Sequence, residues 1–271
     1  MLLLHSVPQK VDVAMQGNIE SLFYYPIKGL SPQGIPGVDL QVAEGFPNDR
    51  VFGFARYDSG FDPVNPQPLP KDRFLVLVKE DRLAGLQTYL DPSTRQLTMK
   101  IQGHTAFEGN LHQSADVSAA VDFFATMFDL GVQQRPIFAY AGVHRFTDVS
   151  VVSKELMNAV SLINLASVRD LEAKVGRAVD PLRFRANIYF DGWPPFSELD
   201  LVGTEFSIGT ARLRIVRKTR RCAATEVNPV SALRDLPVPR LLMQHYSHAD
   251  LGVYAEVLEA GSVRSGDVIK V

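Results

Sequence analysis

Cysteine is almost missing from this chain: Cys222 is the only one in 271 residues, so no intrachain disulfide can hold the fold together. Such scarcity fits a reducing compartment, and cytoplasmic residence is the expectation. An excess of one charge is missing too. The 28 basic and 30 acidic residues leave a net charge of -2, without the global basic footprint of a protein whose main partner is nucleic acid. Long apolar runs are also absent. Leu2, Leu3 and Leu4 are followed by His5, Pro8 and Lys10, too short a run for a signal-peptide core. Nothing later approaches the roughly 20 apolar residues of a membrane span, so no span is expected. No Gly-x-Gly-x-x-Gly, Walker loop or Cys-x-x-Cys occurs. The chain therefore shows no flavin, nicotinamide, nucleotide or iron–sulfur site of its own.

What remains is an ordinary soluble composition, 46% apolar, long enough for one large domain or two small ones. Short strand-like runs dominate. Ile19–Tyr24, Val38–Val42, Arg50–Ala55 and Leu97–Gln102 are separated by turn formers such as Gly45, Pro47 and Asn48. Phe74–Val78 is a dense apolar run that predicts a buried strand. Asp81–Leu90 carries Leu83, Leu86 and Leu90 at helical spacing. Residues 58–71 hold four prolines and read as a loop. Ala115–Leu130 is the clearest amphipathic helix, with Val117, Ala120, Val121, Phe124, Met127 and Phe128 on one face. Ser167 is placed to cap a helix that runs to Val175 and stops at Gly176. Further strands are expected at Asn187–Phe190, Glu205–Ile208, Ala211–Val216, Val253–Leu258 and Val268–Val271, interrupted by a short helix at Val238–Tyr246. Many short strands and few helices predict a mainly β fold with some helix (α+β), rich in barrels. It divides into a smaller β-barrel-like unit over residues 18–130 and a second barrel over 140–271.

The most informative segment is Arg217-Lys218-Thr219-Arg220-Arg221-Cys222-Ala223-Ala224-Thr225-Glu226-Val227-Asn228-Pro229. Arg220 and Arg221 beside a lone cysteine favour its thiolate, the form that binds soft metals. The cysteine follows a strand and precedes a turn, a common position for a site. Taken alone, it reads rather as a small buried apolar side chain beside a solvated charge run.

Arg-Cys-x-x-Thr-x-Val-x-Pro, followed by Gly252-Val253-Tyr254-Ala255-Glu256-Val257 and Gly261-Ser262-Val263-Arg264-Ser265-Gly266-Asp267, resembles the MOSC domain, named for the C-terminal part of molybdenum cofactor sulfurases. Phe184-Arg185-Ala186-Asn187 resembles its Arg-x-Asn element, and Leu165-Ala166-Ser167-Val168 its serine-led helix entry. Tyr25-Pro26-Ile27-Lys28-Gly29 and Asn48-Asp49-Arg50 resemble the small β-barrel domain that precedes MOSC in amidoxime-reducing components. The likeness covers nearly the whole chain in one order. It implies that Cys222 ligates molybdenum as the catalytic centre, and that Lys28, Arg50 and Arg185 contact the pterin or phosphate of a molybdenum cofactor (molybdopterin). Asn187 is expected to meet the pterin edge or orient Arg185. Arg220 and Arg221 add charge beside the metal, and the helix begun at Ser167 offers N–H groups to an anion. The chain departs from the family at four points. Gly29 stands where a serine follows the lysine, and Arg220 where a serine precedes the cysteine. Asn228-Pro229-Val230-Ser231-Ala232 replaces an Asp-Pro-Gly turn. No Thr-x-Arg-Gln element occurs, leaving Lys71 or Arg73 to substitute.

The resemblance implies an oxidoreductase acting on N-hydroxylated small-molecule substrates, with electrons from a separate redox protein. Its rival is a cofactor-binding or sulfur-carrier module without turnover. Among weaker constellations, His245 and His248 with Asp250 read as loop residues rather than a metal pair. Asp148 reads as a brace for an interdomain loop, and Trp193 as packing at a turn.

Overall fold

The computed structural model describes residues 15–271; the N-terminal leucine run lies outside the described residues. The first half contains β1 (Gln16–Tyr24), β2 (Gln33–Ile35), β3 (Gly37–Leu40), β4 (Phe52–Ala55), β5 (Leu86–Leu90), β6 (Gln96–Ile101), β7 (His104–Asn110), helix α1 (Ser114–Met127) and β8 (Ile137–Tyr140). The second half carries α2 (Lys154–Met157), β9 (Val160–Asn164), α3 (Leu165–Val175), β10 (Ile188–Asp191), β11 (Glu205–Ile208) and β12 (Ala211–Arg220). It ends with α4 (Val238–Tyr246), β13 (Asp250–Glu259), β14 (Gly261–Arg264) and β15 (Val268–Lys270).

The fold is mainly β, as the strand pattern predicts. Seven strands close a barrel in the order β10, β9, β13, β12, β11, β15, β1, with β1 pairing back to β10. β1 alternates buried and exposed positions along most of its length, so one face fills the barrel and the other meets solvent or neighbours. β9 is buried throughout because α3 and α4 cover its outer face through Val168, Leu171 and Leu242. β3 pairs with β14, so the two halves of the chain interleave. The rest of the first half builds a separate core. The three-stranded sheet β5–β6–β7 and the β4–β8 ribbon pack with α1 around Phe54, Leu97, Met99 and Phe124.

Three local expectations are corrected. Phe74–Val78 is not a strand, although Phe74, Leu75, Val76 and Leu77 are buried. Phe74 bridges Ala55, and the backbone then turns, with the Lys79 and Glu80 N–H groups both donating to the Val76 carbonyl. Asp81–Leu90 is not one helix. A 3-10 turn over Asp81–Gly85 gives way to β5, where Leu86 and Leu90 are buried and Gln87 and Tyr89 exposed. Leu86 and Leu90 fit both periods, and pairing with β6 chose the strand. Finally, Ser167 does not cap α3. Asn164 does, its Oδ1 accepting from the Ala166 N–H at 3.1 Å. The stop at Gly176 stands, in the left-handed conformation at φ 66°.

Candidate functional site

β12 positions the site. It enters the barrel with Ala211, Leu213 and Ile215 inward. Register shifts against β13 between Ile215 and Arg217, and again between Lys218 and Arg220, break the alternation. Arg217 and Lys218 consequently both face out, and Thr219 returns to a buried position. The strand ends at Arg220, and Cys222 sits at the start of a 3-10 turn over Ala223–Glu226. There it borders a cleft of about 250 Å³ between the two halves of the chain.

Lys28 reaches the cleft from the turn after β1. It is 3% exposed, and its Nζ donates at 2.7 Å to both Asp148 Oδ1 and the Phe146 carbonyl. Lys71 Nζ lies 3.2 Å from Cys222 Sγ and 3.5 Å from Asp148 Oδ2. Asp148 thus links the buried lysine to the lysine at the thiol. Burial works to raise the Asp148 pKa, but Lys28, Lys71 and Arg50 together hold it well below the carboxylate range. Burial lowers Lys28, and Asp148 offsets this only in part. For Lys71 the balance reverses: burial lowers it, but Asp148 and Cys222 carry it above its ordinary value.

Arg50 and Arg185 stack on the buried ring of Tyr25, their guanidinium carbons 4.6 and 4.3 Å from its centroid. Arg50 pairs with Asp49 and donates to the Arg185 carbonyl at 2.8 Å. Both arginines hold positive φ, 52° and 53°, a backbone state that arginine seldom adopts and that costs on the order of 1–3 kcal/mol. Burial lowers the Arg185 pKa, with Tyr25 opposing, and Arg185 makes no ion pair among the described residues.

Lys28, Arg50, Arg185, Asn187, Arg220, Arg221 and Cys222 are therefore gathered around one cleft. Two of them have their polar groups committed to the scaffold. Asn187 accepts at Oδ1 from the Ser161 hydroxyl at 2.8 Å and donates to the Phe23 carbonyl at 3.3 Å, so it ties β1 to β9. Arg221 donates to the Leu251 and Phe184 carbonyls from all three of its nitrogens. Arg220 is exposed and makes no ion pair among the described residues. Ser167 is not part of the cleft. It is fully buried on the barrel flank, its hydroxyl 3.0 Å from Glu198 Oε1. Among the described residues no cluster of three or more metal-ligating side chains exists, so His245, His248 and Asp250 form no such centre. Trp193 packs against Phe190 and Phe206, as expected of turn packing.

Sequence reasoning missed Tyr25, Arg183 and Thr219. Tyr25 immediately precedes the Pro-Ile-Lys turn, and its role as a stacking platform has no sequence signal. Thr219 had one: it is the polar residue at an inward position of an otherwise apolar alternation.

Residues 142–270 match the MOSC domain, and residues 16–135 match the MOSC N-terminal beta barrel domain. The chain belongs to the MOSC family. It is similar to the mitochondrial amidoxime reducing component 2 of Bos taurus, 22% identical across 93% of this chain and 82% of that protein. With the mitochondrial amidoxime-reducing component 1 of Xenopus laevis it shares 27% identity over 55% of this chain and half of that protein. The YUAD protein of Bacillus subtilis aligns over 95% of this chain and 96% of its own, at 12% identity and a TM-score of 0.43. The departures from the MOSC pattern have physical reasons. Gly29 lies at φ +86°, where a Cβ would come within 2.5 Å of the Leu75 carbonyl oxygen, so this backbone excludes a serine there. Of the two candidates for the missing Thr-x-Arg-Gln element, Lys71 reaches the thiol. Arg73 instead donates to the Asp58 carbonyl.

Proposed function

We propose that this MOSC protein binds a molybdenum cofactor through Cys222 and reduces N-hydroxylated small molecules. The observation that carries this reading is the charge imbalance around the only thiol. Nine lysines and arginines line the cleft against two carboxylates, Asp49 and Asp148. Such an excess supplies charge-assisted donors for a strongly anionic ligand. The buried Thr219 hydroxyl lines the same cleft and has no hydrogen-bond partner among the described residues, so a donor and acceptor stand ready for a polar ligand edge. A pterin phosphate with a soft metal at its far end matches both features.

In that reading Lys28, Arg50 and Arg185 would grip the phosphate, with Tyr25 as the ring against which both arginines lie. Cys222 supplies the thiolate, and Lys71 with Arg220 offsets its charge. The bound group would supply the two-electron redox couple. Cleaving the N–O bond takes two electrons and two protons and releases water, so the electrons come from a separate redox protein. No helix among the described residues is long and apolar enough to cross a membrane, and a free thiol ligand is best kept in a reducing, cytoplasmic setting. The test compares molybdenum and pterin content of protein made in a cofactor-competent host with those of Cys222→Ser. Wild type is expected to carry both and to reduce hydroxylamine with a chemical reductant; Cys222→Ser is expected to lose the metal and keep the fold. A fully active serine variant overturns the reading. Loaded wild type that reduces no N–O substrate would point to the sulfur-carrier alternative.

A further inference from the structure

Strand β12 treats its cations in two ways. Away from the thiol they are paired across the sheet. Arg212 meets Glu205 of β11 and Glu259 of β13, and Arg214 donates to Glu256 of β13 at 2.7 Å. Past the register shift between Ile215 and Arg217 the pairing stops. Arg217, Lys218 and Arg220 are exposed, and among the described residues none of them makes an ion pair. Their register partners on β13 are Tyr254, Val253 and Asp250, so one acid faces three cations. All three cations line the cleft, and Arg220 stands two residues before Cys222. We infer that Arg217 and Lys218, with Arg220 closing the row toward the thiol, form an anion-binding lip that selects N-hydroxylated substrates bearing a carboxylate. The inference rests on the reading of the cleft given above and deepens it to the charge class of the substrate.

The contrast within a single strand carries it. The glutamates that neutralise Arg212 and Arg214 have no counterparts at the cleft end, so positive potential is kept at the mouth, where it attracts anions. The bulge aims these side chains. Leu213 and Ile215 point inward, and unbroken alternation would turn Arg217 inward after them; the register shift puts Arg217 and Lys218 outward together. Exposure then separates the lip from the deeper end of the cleft. Lys28, 3% exposed, suits a resident phosphate. Exposed ion pairs are weak and screened by salt, so the lip suits a ligand that enters and leaves with every turnover. Its concave setting favours a small anion over an acidic protein surface, because the three side chains line the cleft that Cys222 borders. Arginine adds geometric preference: its planar fork matches a carboxylate with two parallel hydrogen bonds.

The test uses two non-reducible probes that differ by one carboxylate, benzamide and para-carboxybenzamide, with the matching amidoximes as substrates. Probe affinities of protein made in a cofactor-competent host are measured by calorimetry, and KM values by turnover with a chemical reductant. Wild type is expected to bind the carboxylated probe about fivefold more tightly at low salt. That preference is expected to vanish near 1 M salt, where the screening length falls to about 3 Å. Arg217→Gln combined with Lys218→Gln is expected to move the ratio of the two affinities, and of the two KM values, toward one. Arg217→Glu with Lys218→Glu should take it lower still. Equal affinities in wild type, or no binding of either probe, overturn the lip, as does a ratio that the glutamine variant leaves unchanged. Loss of molybdenum or pterin from the glutamine variant, or a second phosphate on the released cofactor in mass spectrometry, gives these cations to the cofactor and overturns the inference. An unchanged ratio with slower electron uptake from reduced flavodoxin gives them to a protein partner and overturns it equally. A carboxylate preference that the glutamine variant abolishes, in a protein that reduces neither amidoxime, overturns the proposed reaction and leaves the lip standing.

Discussion

Asp148 in the cleft and Glu198 on the barrel flank are both carboxylates held by hydrogen bonds, yet the protein shifts them in opposite directions. Glu198 is fully buried among neutral partners, Asn164 Nδ2 and the Ser167 hydroxyl, and burial raises its pKa against the pull of those bonds. Asp148 is 46% exposed and faces Lys28, Lys71 and Arg50, which hold it ionised. The flank network is closed: Asn164 also donates to the Pro194 carbonyl, and Ser167 accepts from the Phe196 N–H. The cleft is open: among the described residues Arg185 and Arg220 have no carboxylate partner and Thr219 has no partner at all. The flank cluster is satisfied within the fold, whereas the cleft holds polar groups that a ligand could still satisfy.

The sharpest way to break this contrast is to remove Glu198. Glu198→Ala strands Asn164 and Ser167 in the interior, each worth on the order of 1–3 kcal/mol, so a stability loss of about 3 kcal/mol is expected in urea unfolding. Molybdenum content per folded molecule should not change. A variant of wild-type stability that lost its metal would exchange the roles assigned to the two regions. Arg185→Ala is the mirror experiment. Losing one charge-assisted contact costs about 1.5–3 kcal/mol of binding, or roughly ten- to a hundredfold in cofactor retention. Its effect on stability is expected to be small, because alanine has no charge to desolvate at that position.

How legible these regions were in the sequence follows the same division. The cleft was readable because its residues sit in short local motifs: Lys28 in a Tyr-Pro-Ile-Lys turn, Arg185 two before Asn187, Cys222 after two arginines. What those residues do was less legible. Asn187 and Arg221 sit in motifs that resemble cofactor-binding elements but make scaffold contacts, and that depends on Ser161, Phe23, Leu251 and Phe184, brought close only by barrel closure. Ser167 failed for a related reason. A serine before a helical run looks like a cap, but Asn164 lies three residues earlier, and Glu198, the group that claims the serine, is 31 residues away. Strand existence was largely readable from alternation. It failed where Leu86 and Leu90 satisfied two periods at once, a tie that only pairing with β6 resolves.

The pH dependence of stability sharpens the contrast further. Because folding raises the Glu198 pKa, the native state prefers the protonated form. Stability from this group is complete below the unfolded carboxylate pKa and falls as pH rises through the native value. Glu198→Gln keeps the shape without the titration. It is expected to flatten that decline in urea unfolding followed from about pH 4 to about pH 8. A variant whose pH profile matched wild type would show that Glu198 stays ionised on folding.

The smallest effect is expected at Asp148, where the sign reverses. Its native pKa is lowered, so its contribution is present above the unfolded carboxylate pKa and is lost as pH falls through the native value. The pKa depression is large, but a side chain 46% exposed is screened, and exposed ion pairs are worth about 0.2–1 kcal/mol. Asp148→Asn is therefore expected to lower stability at neutral pH by well under about 1 kcal/mol and to make the acid-side decline of stability slightly shallower. The same substitution frees Lys28 and Lys71 from their shared carboxylate and leaves the cleft with Asp49 as its one acid. Cofactor retention should then hold or rise while stability falls slightly. A loss of both would mean that Asp148 positions Lys28 for the phosphate, and that the bond from Lys28 to the Phe146 carbonyl is not enough to hold it there.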